Sequence, residues 1–141
     1  MTLLRHPMIR ALGIITLKTL TMAVISLADV LFIAAYVPVK VHTLVMLPVV
    51  FAITFLFGEW IFNHARFEAR TVALIIVTTY LWDAFLGALI FASLIGDMSV
   101  LAQQQLTPHL LAFALHAAAL GAALYDRRRF GRDKNVVEGL Q

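Results

Sequence analysis

The chain has 141 residues, of which 62% are apolar and 13% charged, with a formal net charge of +3 and no cysteine. A domain of this length buries only about two-thirds of its surface on folding, too little to hide so much apolar side chain from water. A soluble globular domain, a disordered chain and a coiled coil are therefore excluded, and the absence of cysteine removes disulfide scaffolds, thiolate zinc sites and a cysteine nucleophile. What remains is an all-α polytopic membrane protein.

A membrane helix needs roughly 20 mainly apolar residues, and four segments qualify. The first runs from about Ala11 to Tyr36 and stops before Pro38. The second runs from about Thr43 to Phe62, with Pro48 in its first turns. The third runs from about Thr71 to Ile95 and ends at Gly96-Asp97. The fourth opens at Thr107-Pro108, a capping residue followed by proline at the first helical position, and ends near Tyr125. The pattern predicts one membrane domain made of a hairpin over 11–62, a second over 71–126 and a basic tail over 127–141. Short connections make consecutive helices antiparallel neighbours, and the only roomy loop is Met98–Leu106 with Gln103, Gln104 and Gln105. The first apolar run is too long, and lacks the small-residue cleavage site, for a cleaved signal peptide.

Basic residues predict the orientation. Arg5 and Arg10 precede the first helix, Arg66 and Arg70 lie between the second and third, and Arg127, Arg128, Arg129, Arg132 and Lys134 follow the fourth. The other two turns share only Lys40. Both termini are expected in the cytoplasm, and the basic tail reads as a topology signal next to anionic lipid rather than as a nucleic-acid surface.

The second and fourth helices end alike. Gly58, Phe62, Asn63, Arg66 and Phe67 are matched by Gly121, Tyr125, Asp126, Arg129 and Phe130, each position 63 residues after its counterpart. Arg10 and Arg70 likewise lead into the first and third helices. The chain therefore reads as two tandem hairpins, parallel repeats related by a pseudo-two-fold axis along the membrane normal.

An ionisable side chain at the centre of a membrane helix costs at least about 2.5–3.5 kcal/mol, so it is expected to face a cavity or a partner. Asp83, beside Trp82 and one turn after Tyr80, is the most costly placement. It reads either as a proton-coupling or cation-binding carboxylate, with the aromatics offering π faces to a cation, or as a structural carboxylate paired across helices. His116 and His109 lie seven residues apart on nearly one face of the fourth helix. They read as an interhelical hydrogen-bonding pair or as a proton relay, and their spacing is too wide for metal ligands within one turn. Lys18 and Asp29 share a face of the first helix, about 16 Å apart at 1.5 Å per residue, with Thr21, Met22, Ile25 and Ser26 between them. This stripe is expected to face the bundle interior, with Lys18 reaching toward the cytoplasm or pairing with Glu59 of the second helix. Ala114, Ala118 and Ala122, with Ala117 and Gly121, form small-residue faces for close packing within the bundle or between copies, and a homodimer is expected.

The tandem-hairpin design and the paired helix ends resemble the proteobacterial antimicrobial compound efflux family, built from two bacterial transmembrane pair units. Its aromatic-Asn and Tyr-Asp motifs at the ends of helices two and four correspond here to Phe62-Asn63-His64 with Phe67-Glu68, and to Tyr125-Asp126 with Phe130, each with one extra residue before the phenylalanine. The acids that the family carries eight residues after the arginines of helices one and three are replaced here by Lys18 and Thr78, leaving Asp83 or Asp29 to take that place. A weaker similarity links the Pro48-to-Gly58 spacing and the end of the fourth helix to small bacterial alanine exporters. Both resemblances imply export across a bacterial inner membrane.

The sequence thus points to an exporter of small amphipathic or cationic molecules, proton-coupled through an intramembrane carboxylate. The expected site is a mid-membrane cavity where Asp83, Asp29 and His116 converge, with Trp82, Tyr80, Glu59 and Lys18 around it. Asn63, Phe67, Tyr125 and Asp126 carry the repeat motif. No cofactor or metal is expected. The alternative is a non-transporting subunit of a larger membrane complex, with its polar residues turned toward partner chains. An enzyme has no warrant, because no zinc-protease, nucleophile-elbow or phosphate-loop motif is present.

Overall fold

The structure, a computed structural model, describes residues 6–34, 36–63, 67–99 and 106–138, with only the backbone given for 106 and 131–138. Four helices account for nearly all of them: α1 over Pro7–Phe32, α2 over Val39–Ile61, α3 over Ala69–Ile95 and α4 over Leu106–Glu138. Each is long and apolar enough to cross a membrane, the qualifying part of α4 being Thr107–Phe130.

The helix ends follow from local chemistry. Pro7 stands at the first turn of α1, where its missing N–H has no helical partner to lose. The helix therefore starts ahead of Arg10 rather than after it. It stops at Phe32, short of the expected Tyr36, as the N–H groups of Ile33 and Ala34 both turn back to the Asp29 carbonyl, at 2.8 and 2.9 Å. α3 ends where Gly96 takes a left-handed conformation, φ 72°, and Asp97 N–H donates to the Ala92 carbonyl at 3.1 Å, a glycine-terminated C-cap. Beyond Tyr125, α4 continues as helix to Glu138, so the first part of the basic tail extends the fourth helix. The loop glutamines 103–105, along with His64 and Arg66, lie outside the described residues.

Round the bundle the helices run in the order α1, α2, α4, α3. α1 touches α2 and α3, α4 touches α2 and α3, and among the described residues the diagonal pairs make no close backbone contact. α1 and α2 run antiparallel, Arg10 lying beside Trp60 and Asp29 beside His42. The starts of α1 and α3 and the ends of α2 and α4 therefore share one end of the bundle, here termed the terminal end. The most extensive contacts are between the parallel pairs, α1 with α3 and α2 with α4, rather than within the sequential hairpins.

The apolar core lies in the terminal half. Ala11, Ile14 and Ile15 of α1 meet Ile61 and Phe62 at the end of α2, Ile75 of α3, and Leu120 and Ala123 of α4. Gly58 makes this packing possible, because a Cβ there would stand 2.8 Å from Leu120 Cδ2 and 2.9 Å from Ala123 Cβ. The outside is apolar along much of its length. On α1 the exposed side chains include Leu17, Leu20, Val24, Leu27 and Leu31, at helical spacing, while Lys18, Thr19 and Asp29 are buried.

Candidate functional site

Each pair of touching helices is joined by a polar contact between side chains, and together these account for most of the ionisable groups singled out in the sequence. Across α1 and α3, Lys18 Nζ forms an ion pair with Asp83 Oδ2. The Thr19 hydroxyl lies 2.6 Å from the other carboxylate oxygen and 2.9 Å from the Ile15 carbonyl. It has one proton for two acceptors, and the charged one makes the stronger bond. Asp83 is thus engaged at both oxygens. Lys18 is only 4% exposed, so it pairs inward with α3 rather than reaching to a membrane surface or to Glu59.

Glu59 instead forms its ion pair with Arg127 across α2 and α4. Its second oxygen, Oε1, is buried without a hydrogen-bond partner among the described residues. Asp126, the neighbour of Arg127, is half-buried and close enough to act on Glu59 by charge.

Across α1 and α2, Asp29 Oδ2 meets His42 Nε2 at 2.6 Å. This places Asp29 about 16 Å along α1 from Lys18, so it does not converge with Asp83 and His116 on one cavity. It clasps the far end of the first hairpin.

Between α3 and α4, Thr79 Oγ1 lies 3.1 Å from His116 Nε2 and 2.5 Å from the Ile75 carbonyl. The hydroxyl has one proton for the carbonyl and the imidazole, so the direction of the Thr79–His116 bond follows the histidine tautomer. The next residue of α3, Tyr80, donates to the His109 carbonyl at 2.7 Å and touches His109 Nδ1 at 3.1 Å. The Tyr80 ring meets the His116 ring edge-to-face at 5.7 Å. Trp82 points the other way and donates Nε1–H to Thr16 Oγ1 of α1 at 2.8 Å. Tyr80 and Trp82 therefore support separate helix contacts and do not form an aromatic cage over Asp83.

The motif residues are divided as well. Phe67 packs edge-on against Phe62, with ring centroids 5.7 Å apart, while Asn63 is exposed. Tyr125 is also exposed and receives a long contact from Arg129 at 3.4 Å. No cluster of three His, Cys, Asp or Glu side chains suited to a metal is present among the described residues.

One cleft joins these elements to open space. It occupies about 530 Å3 between α1 and α3, with Val50 of α2 at its back. Lys18, Asp83 and Thr19 line one end of it, and its walls, among them Met22, Leu27, Val30, Phe91 and Leu94, are almost wholly apolar. On both α1 and α3 the lining extends twelve residues beyond the charged pair, from 18 to 30 and from 83 to 95, about 18 Å at 1.5 Å per residue. Gly87 keeps the floor low, as a Cβ there would meet only Thr19 Cγ2, at 3.9 Å.

His42, Thr16, Thr19, Thr79 and the inward role of Arg127 were not evident from sequence. One signal was available for His42. It and Asp29 are equally far from the middle of the turn over 33–38, so an antiparallel hairpin brings them to the same depth. No protein-family model, curated protein or solved structure matches this chain.

Proposed function

We propose that this is an integral membrane carrier that exports small amphipathic molecules through the cleft between α1 and α3, with Asp83 as its coupling carboxylate. The observation that carries the reading is a buried ion pair lining one end of an apolar cleft. A carboxylate held there by a cation from another helix can exchange that partner for a proton or a ligand, and such exchange biases how the two helices sit against each other.

The apolar exterior supports a bilayer as the surrounding solvent. Arg10, Arg70, Arg127, Arg128 and Arg129 gather at the terminal end against Lys40 at the other, which supports both termini in the cytoplasm, in a bacterial inner membrane as the resemblance implies. The parallel pairing of α1 with α3 and of α2 with α4 supports tandem hairpins laid side by side. A two-fold through the bundle centre would instead exchange the diagonal partners, α1 with α4 and α2 with α3. Ala114, Ala118 and Gly121 are exposed on α4, a small-residue face open to a second copy in a homodimer. The accessory-subunit reading needs polar groups turned toward partner chains, whereas Lys18, Asp83, Asp29, His42 and Glu59 have partners inside this one.

The test is uptake of a radiolabelled amphiphile into inverted vesicles under an imposed pH gradient. Asp83→Asn is expected to abolish gradient-driven uptake while the protein remains folded. Undiminished uptake in that variant removes Asp83 from the mechanism.

A further inference from the structure

We infer that the cleft is a slot for a single-tailed zwitterionic amphiphile, whose two head charges take over as partners of Lys18 and Asp83 while its alkyl chain fills the apolar length beyond them. This rests on the carrier reading for the site but assigns a ligand class that the reading leaves open.

The argument starts from charge. The polar end presents one ammonium and one carboxylate bound to each other, and Lys18 is only 4% exposed. A purely cationic head that takes Asp83 leaves the Lys18 ammonium buried without a partner. A purely anionic head does the same to Asp83. Either leaves a desolvated charge unpaired, the arrangement that buried ion pairs most strongly penalise. A head carrying both signs inserts between the two and restores a partner to each, with the Thr19 hydroxyl, already 2.6 Å from Asp83 Oδ1, available to the carboxylate through the exchange.

The tail follows from shape. Beyond the pair the cleft is apolar for about 18 Å along both helices, with a volume of about 530 Å3. A small amino acid satisfies the charges but leaves that length empty. A bulky polycyclic cation fills neither the length nor the charge pattern. One linear alkyl chain suits both, and Gly87 is where the chain lies closest to the α3 backbone, since no side chain rises there.

The experiment uses the full chain in lipid nanodiscs and measures saturable binding of radiolabelled N-dodecyl-N,N-dimethylglycine, with empty nanodiscs as the blank. Dodecyltrimethylammonium and laurate serve as competitors with comparable tails but a single head charge. One site per chain is expected for the betaine, with the single-charge competitors at least tenfold weaker. Gly87→Leu, which raises a side chain into the slot beside Thr19 and keeps both charged residues, is expected to weaken betaine binding at least tenfold. The double variant Lys18→Met/Asp83→Leu, which replaces both charges with apolar groups, is expected to remove the preference for the betaine over the other two. Equal affinity for all three heads in the parent protein, or full betaine binding in a folded Gly87→Leu, overturns the assignment. Betaine binding without export sinks the carrier reading and leaves the slot standing, and export of a simple cation without betaine binding does the reverse.

Discussion

The two halves of this bundle are built by different rules. In the terminal half, alanine, glycine and isoleucine from all four helices interlock, and the buried apolar residues among those described lie there with the exception of Ala92. In the far half α1 and α3 leave a cleft between them, large side chains such as Val24, Val30 and Phe91 are exposed, and α1 is tied to α2 by the Asp29–His42 contact. The Lys18–Asp83 pair stands at the boundary. Close packing gives one half a single arrangement, because a well-packed core does not deform gradually. The other half is held by a few polar contacts that a proton or a ligand can compete for.

The boundary pair gives the largest expected effect. Lys18→Met strands the Asp83 carboxylate and is expected to cost about 3–5 kcal/mol, the penalty for breaking a buried pair from one side. Lys18→Met/Asp83→Leu is expected to recover most of that loss, since an apolar replacement of a whole buried pair is often neutral. Reversible unfolding in mixed micelles of the parent, both single variants and the double variant gives the coupling as a double-mutant cycle. A coupling near zero would mean that the pair does not join the two halves.

Next comes a test within the repeated motif. Gly58 and Gly121 occupy equivalent sequence positions, yet the first is pressed against Leu120 and Ala123 while the second has nothing within 4 Å of an added Cβ. Gly58→Ala is expected to destabilise by about 1–3 kcal/mol through overpacking. Gly121→Ala is expected to change stability by less than about 1 kcal/mol, in the favourable direction, by relieving the conformational cost of glycine in a helix. Thermal unfolding of the two variants side by side measures this. Equal losses would mean that the α4 face bearing Gly121 is buried after all, against a second copy.

In the far half, His42→Ala is expected to cost about 0.6–1.7 kcal/mol, the range of interhelical polar contacts in membranes. Its signature is local. Hydrogen exchange at the turn between α1 and α2 is expected to rise while the amides around Ile15, Ile75 and Leu120 keep their protection. Loss of protection in both halves together would show that the far clasp supports the whole bundle.

The four helices were legible because roughly 20-residue apolar runs have few alternatives, and the breaks at Pro38 and Gly96 act through backbone geometry that is local to the chain. The costly polar residues were also legible individually, since each of Lys18, Asp29, Asp83 and His116 stands out against hydrocarbon. Their partners were not, because partner choice depends on helix order round the bundle, and sequence favours the sequential hairpin. Sequence offers Lys18 the cytoplasmic surface or Glu59 on the next helix, whereas the closer packing of α1 against α3 gives it Asp83. Chemical type groups Asp29 with Asp83, although the first hairpin places it opposite His42. The cleft left no trace in sequence, because it arises where two apolar helices fail to close.

The smallest expected effect is at the far end of α3, where turn chemistry stands in for packing. Asp97 is exposed just past the helix C-terminus, a position where the helix dipole disfavours a negative charge. It is held by Ser99, whose hydroxyl and backbone N–H keep the carboxyl below its ordinary 3.8; the N–H lies 2.9 Å from Asp97 Oδ1. A carboxyl with a depressed folded-state value adds stability above its unfolded value and loses it as pH falls through the folded one, so the contribution is present at neutral pH and disappears only below 3.8. NMR titration of the Asp97 carboxyl is expected to give a midpoint below that value, and Ser99→Ala, which removes the hydroxyl donor and keeps the N–H, is expected to raise it part of the way. A midpoint unmoved by Ser99→Ala would assign the whole effect to the backbone turn. The far end of α3 would then be held in place without any side-chain donor, making it the least constrained wall of the cleft.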